Sequence, residues 1–184
     1  MNFAEIDRAK TACRVCPLWK NGGSVLCTGK RDKPPLMVIG EAPGTEEIVY
    51  RVPFIGPAGQ IMRRALLAAG FKLDEVLFSN LLGCHPPQNA FPEDRQQVQG
   101  CIDTFLKAEI EEAKPRVILL AGAKPLFYMC GLTGITRHRG VWRDGPFNTP
   151  MMVTFHPSYL LRGAGDDAER LFQDDIKSAY QRVS

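Results

Sequence analysis

Apolar residues along this chain follow two alternating rhythms. Short continuous runs at 36–39, 76–80 ("VLFSN"), 116–122 ("RVILLAG") and 151–155 ("MMVTF") are bounded by Gly, Pro or polar residues. They are too short for helices, so each predicts a buried strand. Between them the spacing turns helical. Positions 61, 62, 65, 66 and 69 of "AGQIMRRALLAAG" share one face and the run closes on Gly70, which predicts a helix ending on a glycine cap. Val98, Cys101, Ile102, Phe105, Leu106 and Ile110 mark a second helical face, and Leu171, Ile176 and Val183 a last one. Strands that alternate with helices require crossover connections, so the pattern predicts an α/β fold with a mainly parallel, four-stranded sheet covered on both faces. With 184 residues and no internal repeat, the chain is expected to form one domain over 1–184.

Composition narrows the setting. Hydrophobic residues make up 45% and charged residues 23%, near the globular average, and no apolar run reaches the roughly eighteen residues of a membrane span. The opening "MNFAEIDRAKTAC" has no positive region followed by a long apolar stretch, so a cytoplasmic protein with no membrane partner is expected. A net charge of +3 is compatible with a polyanionic partner without requiring one.

The polar sequences of interest all follow strands: "GEAPGTEEIVYRVPFIGPAG" at 40–59, Asn80, "AGAK" at 121–124 and "HPSYLL" at 156–161. In an open parallel sheet, ligands bind beyond the carboxyl ends of the strands, so these loops should converge on one crevice. Neither G-x-G-x-x-G nor G-x-x-x-x-G-K-[ST] occurs, which removes the glycine-based phosphate cradles. Of six cysteines, Cys13 and Cys16 form a C-x-x-C knuckle, with Cys84 and Cys101 as candidate third and fourth ligands. Four thiolates suit zinc or an iron–sulfur cluster; small buried hydrophobes are the alternative, and Cys27 and Cys130 fit that alternative better.

Taken together, "GEAPGTEEIVYRVPFIGPAG", the cysteine pairs, "SNLLGCHPP" and "TFHPSYLLRG" resemble a family 4 uracil-DNA glycosylase, in order and over nearly the whole chain. The resemblance implies a three-layer α/β/α sandwich. It also implies a [4Fe–4S] cluster on Cys13, Cys16, Cys84 and Cys101, with the N-terminal segment as part of the cluster-binding unit. The activity it implies is DNA repair: hydrolysis of the N-glycosidic bond of deoxyuridine by a base-flipping, monofunctional enzyme that leaves an abasic site. Uracil-containing DNA, single- or double-stranded, is then the partner of a monomer.

The resemblance also distributes roles. Phe54 offers an aromatic plate to a flipped base, Asn80 an amide that both donates and accepts, and Gly40 a close approach. His156 and the backbone N–H of Ala42 are expected to donate to uracil O2, where negative charge develops. Glu41 is expected to position water; Glu47 either shares that task or crowds the uracil C5 position. Leu160 stands where the family places its wedge. Four positions depart from the family pattern, in which Asp, Gly, Arg and Arg are expected where this chain has Ile48, Arg51, His85 and Ala90. Two other classes are compatible with the residues: a protein that binds uracil-containing or single-stranded DNA or acts on another modified base, and an iron–sulfur or zinc redox or regulatory protein.

Overall fold

The computed structural model describes residues 1–184. Helix α1 (Phe3–Ala12) leads through a long loop to β1 (Leu36–Gly40), followed by α2 (Thr45–Tyr50), α3 (Pro57–Ala69), β2 (Val76–Asn80), α4 (Arg95–Cys101) and α5 (Lys107–Ala113). The second half contains β3 (Val117–Ala121), α6 (Ala123–Cys130), α7 (Ile135–His138), β4 (Trp142–Asp144), β5 (Pro150–Thr154), α8 (Pro157–Leu161) and α9 (Asp166–Val183). A π-helical turn at Ile102–Leu106 joins α4 to α5 without a break. No helix is long and apolar enough to cross a membrane.

The sheet order is β2-β1-β3-β5-β4. The four strands legible in the sequence run parallel, and β4 adds a short antiparallel edge beside β5. Because side chains alternate across a strand, Leu36 and Val38 enter one core while Met37 and Ile39 enter the other. The first core is closed by Met62 and Leu66 of α3 and by Phe172, Ile176 and Ala179 of α9. The second is closed by Val98, Ile102, Leu106 and Ile110 along the α4–α5 helix and by Leu126 of α6. This is the expected three-layer arrangement. Helix α3 begins with Pro57 at a position whose N–H needs no partner and ends on Gly70, whose φ of 108° lets its N–H reach the last carbonyls.

The N-terminal segment is held differently from what the sequence suggested. No group of three or more Cys, His, Asp or Glu side chains is arranged to hold a metal ion, so Cys13, Cys16, Cys84 and Cys101 do not form the ligand set expected for a [4Fe–4S] cluster. Cys16, Cys84 and Cys101 instead pack against the second core, and burial first, then the neighbouring thiols, push the Cys84 thiol up to about 11. The cluster, and with it the iron–sulfur character implied by the resemblance, is not supported by this donor geometry. A buried ion pair helps fasten α1 to the domain, beside the buried Ile6: Lys10 Nζ lies 2.6 Å from Glu109 Oε1, both side chains buried, and Ser79 Oγ donates to the other Glu109 oxygen at 2.5 Å. Burial would depress the Lys10 pKa, yet Glu109 beside it leaves the ammonium with a raised value. Arg31 pairs with Asp7 of α1 at 2.6 Å.

Candidate active site

The strand order reverses between β1 and β3, and a cavity of about 910 Å³ opens beyond the carboxyl ends of the strands there. Its wall includes Glu41, Ala42, Glu47, Phe54, Asn80 and His156, six of the expected site residues. Two glycines make this convergence possible. A Cβ on Gly40, the last residue of β1, would collide with Asn80 Oδ1 and lie 2.8 Å from Phe54 Cζ, so the amide and the ring share the space over a bare Cα. A Cβ on Gly122, just after β3, would lie 2.8 Å from Glu41 Oε1 and 3.0 Å from His156 Cβ. The ends of four strands, β1, β2, β3 and β5, are thereby brought close to one another.

Asn80 is 9% exposed, and its amide makes no hydrogen bond inside the protein while lining the cavity. The Ala42 N–H is likewise engaged by no acceptor of the protein. Phe54 adopts a left-handed backbone conformation with φ of 58°, which costs about 1–3 kcal/mol for a non-glycine residue. Its surroundings over-determine that conformation. Gly59 of α3 packs directly on the Phe54 backbone, and Arg63 donates to the Phe54 carbonyl at 2.8 Å and to that of Pro53 at 3.1 Å, with its guanidinium over Phe78.

His156 follows β5, whose last residue Thr154 donates to the buried Asp175 at 2.7 Å; Arg139 pairs with the same carboxylate. The imidazole tautomer follows from its partners. Ser158 N–H donates to His156 Nδ1 at 3.2 Å, and Ser158 Oγ stands 2.7 Å from the same nitrogen. A backbone N–H can only donate, so Nδ1 accepts and the proton of the neutral ring is on Nε2. Burial, and then the Arg162 charge, push the His156 pKa down to about 4, so the ring is neutral at physiological pH. Burial pushes the Glu41 pKa up, against the Lys124 N–H and the Lys124 and Arg162 charges.

Glu47 is occupied: its two carboxylate oxygens accept from the N–H of Gly44 at 3.0 Å and of Gly56 at 2.8 Å, tying α2 to the start of α3. Leu160 is 8% exposed and packs in the first core, whereas Leu161 beside it is 51% exposed and lines the cavity. Of the departures noted above, Ile48 packs on Gly22 and Arg51 reaches the Ser24 carbonyl at 3.4 Å, both outside the cavity wall. His85 Nδ1 stands 2.8 Å from the Pro43 carbonyl, which can only accept, so the ring donates into the "GEAPG" turn and braces it. Sequence reasoning did not single out Ser158, Arg162, Gly122 or Arg63. The first two sit in the quoted "HPSYLLRG", and Gly122 stands in a strand-end "AGAK" that marks a tight turn. Arg63 carries no such signal, because its acceptors are backbone carbonyls.

Comparison with known proteins agrees with this geometry. Residues 28–180 match the family model of the uracil DNA glycosylase superfamily. A type-4 uracil-DNA glycosylase of Thermotoga maritima is 34% identical over 169 residues, covering 91% of this chain and 87% of that protein. The chain belongs to the type-4 uracil-DNA glycosylase family. A type-4 uracil-DNA glycosylase of Pyrobaculum aerophilum is 31% identical over 184 residues, covering 96% of this chain and 92% of its own length. One from Archaeoglobus fulgidus is 31% identical over 166 residues, with 85% and 82% covered. Family membership makes the cavity the place to look for glycosidic chemistry on DNA, while the donor geometry sets the cluster apart from the rest of the resemblance.

Proposed function

We propose that this protein excises uracil from DNA by hydrolysing the N-glycosidic bond of a flipped deoxyuridine, leaving an abasic site. The observation that carries the reading is the unengaged Asn80 amide in a cavity that also holds the Nε2–H of a neutral His156. Uracil presents an N3–H donor and an O4 acceptor, and one amide can accept from the first and donate to the second. Cytosine presents an amine and a bare ring nitrogen at those positions. Against an amide held in the uracil-reading orientation both would face the wrong half, at about 1–3 kcal/mol for each polar group left desolvated and unpaired.

The base must leave the stack first, at a cost of a few kcal/mol that is smallest for unpaired bases. Leu161, exposed at the mouth, is the side chain able to fill the gap, in place of Leu160. With uracil against Phe54 and Asn80, the C1′–N1 bond breaks and its electron pair moves onto the uracil ring and O2. The Ala42 N–H and His156 Nε2–H donate to that oxygen, and a donor of this kind contributes on the order of 10²–10³ in rate. Water adds to C1′ beside Glu41, which orients it and accepts its proton, while the uracil anion takes a proton from solvent on release. Glu47 acts through the backbone, holding the turn that carries Ala42.

The test is incubation with an end-labelled single strand containing one deoxyuridine, followed by alkali, with matched cytosine and thymine strands. Cleavage confined to the uracil position is expected. Intact strands from folded protein that binds the oligonucleotide would overturn the reading.

A further inference from the structure

A row of aromatic rings leads away from the cavity wall. Phe91, which lines it, stands 6.0 Å from Tyr128 between ring centres, and Tyr128 meets Phe127 edge to face at 5.1 Å. Lys124 Nζ lies 5.2 Å from the centre of the Phe91 ring, and the Arg95 guanidinium 4.9 Å from that of Phe127. Arg95, Phe127 and Tyr128 also line a second, shallower hollow of about 330 Å³. The three rings are half-buried and the two cations exposed. Neither cation is used in an ion pair within the protein. Asp94, next to Arg95 in the chain, is engaged in capping α4 through the Gln96 and Gln97 amides.

We infer that Phe91, Tyr128 and Phe127, with Lys124 and Arg95, form a track for the single-stranded DNA that flanks the flipped nucleotide; this rests on the uracil-excising reading of the cavity. Aromatic platforms interleaved with cations hold a single strand without sequence preference, because every base has a π-face and every nucleotide a phosphate. A guanidinium lying on a ring offers a base a further plane to stack on, or its edge to a phosphate. A duplex does not fit this chemistry, since its bases are already stacked on one another. Continuity with the cavity through Phe91 gives the strand a path: the extruded base enters the cavity while its neighbours lie along α6.

The test uses Arg95→Gln and Phe127→Leu, neither of which lines the catalytic cavity. Fluorescence anisotropy on a uracil-free single strand reads binding, and excision kinetics on a deoxyuridine strand read KM against kcat. The double variant should bind the single strand more weakly by on the order of tenfold and raise KM by a similar factor, with kcat unchanged. Replacing the flanking bases by abasic spacers should remove the Phe127→Leu effect, and duplex binding should stay at the wild-type level. Wild-type affinity in both variants would overturn the track. So would a Phe127→Leu loss that persists with spacers, which means that the ring stacks on no base, or equal losses on duplex. Arg95→Gln alone carries the test if thermal melting shows Phe127→Leu to be misfolded. Binding to uracil-free DNA does not depend on turnover. A wild-type protein that binds but releases no uracil therefore counts against the function, while variants that bind like an excising wild type count against the track.

Discussion

Gly122 is the point at which the geometry makes its sharpest demand. Its backbone, at φ 113° and ψ 176°, lies in a region that only glycine adopts readily. A methyl group there meets Glu41 Oε1 at 2.8 Å and His156 Cβ at 3.0 Å, so Gly122→Ala must bend the backbone and move both side chains. The strain is worth about 1–3 kcal/mol, which for a chain of this size lowers Tm by roughly 2–12 °C. The larger effect is expected in catalysis, because a displacement near 1 Å of positioned groups costs on the order of 10²-fold in rate. Gly131→Ala supplies the control: its φ of 69° is also left-handed, but a Cβ there meets nothing within 4 Å. Single-turnover excision at saturating enzyme, with melting curves for both variants, separates the two effects. Gly122→Ala should lose about 10²-fold where Gly131→Ala loses only stability. Equal rates in the two folded variants would refute the claim that Gly122 makes room for Glu41 and His156.

Three further outcomes are expected. Because the folded pKa of His156 is depressed to about 4 from 6.5, the unfolded chain binds more protons between those values, so His156 makes stability rise with pH across that window; the acid limb of kcat/KM should follow the raised pKa of Glu41 and shift toward about 4 in Glu41→Gln, whereas a limb at 6.5 in both would mean that His156 titrates at its ordinary value in the free enzyme and that burial does not keep it neutral. Lys10→Met leaves Glu109 buried and unpaired and should cost about 3–5 kcal/mol in denaturant unfolding, most of it recovered in the Lys10→Met, Glu109→Leu double variant; an undiminished midpoint in the single variant would contradict the ion-pair anchor. Arg63→Leu removes both donors to the loop around Phe54 and should raise KM for the uracil strand by on the order of tenfold, and an unchanged KM would show that the strained Phe54 needs no such support.

Much of the fold was legible because each buried strand carries its own signal: 36–39 and 117–121 are apolar on both faces, as strands covered by two layers must be. The edge strand escaped notice because Trp142, Arg143 and Asp144 are three residues of mixed polarity, paired through backbone alone. At the site, residue type in strand-end loops pointed to Asn80, Phe54 and His156, since polar recognition groups gather where strands stop. What sequence could not separate was direction. Leu160 and Leu161 are the same residue type one helical step apart, and only the packing of α8 on α3 decides which is buried. Glu41 and Glu47 read alike as acids that follow β1, and only the distances to Gly44 and Gly56 show that both oxygens of Glu47, in α2, are engaged. The cysteines mark the same limit: a C-x-x-C spacing proposes a ligand set, but convergence of the second pair depends on tertiary placement. Here the buried Lys10–Glu109 pair helps fasten the segment instead.

The central claim is that Asn80 reads the flipped base and that the cavity then releases it as uracil. The most direct measurement is chromatographic quantification of free base from a single-stranded deoxyuridine oligonucleotide, in single turnover, with wild-type protein and Asn80→Ala. The account predicts that wild type releases uracil in step with abasic sites. It also predicts that Asn80→Ala slows release by on the order of 10²-fold or more, as expected when paired polar contacts to the base are lost. Wild-type protein that releases no base, or an Asn80→Ala variant that releases uracil at the wild-type rate, would contradict it.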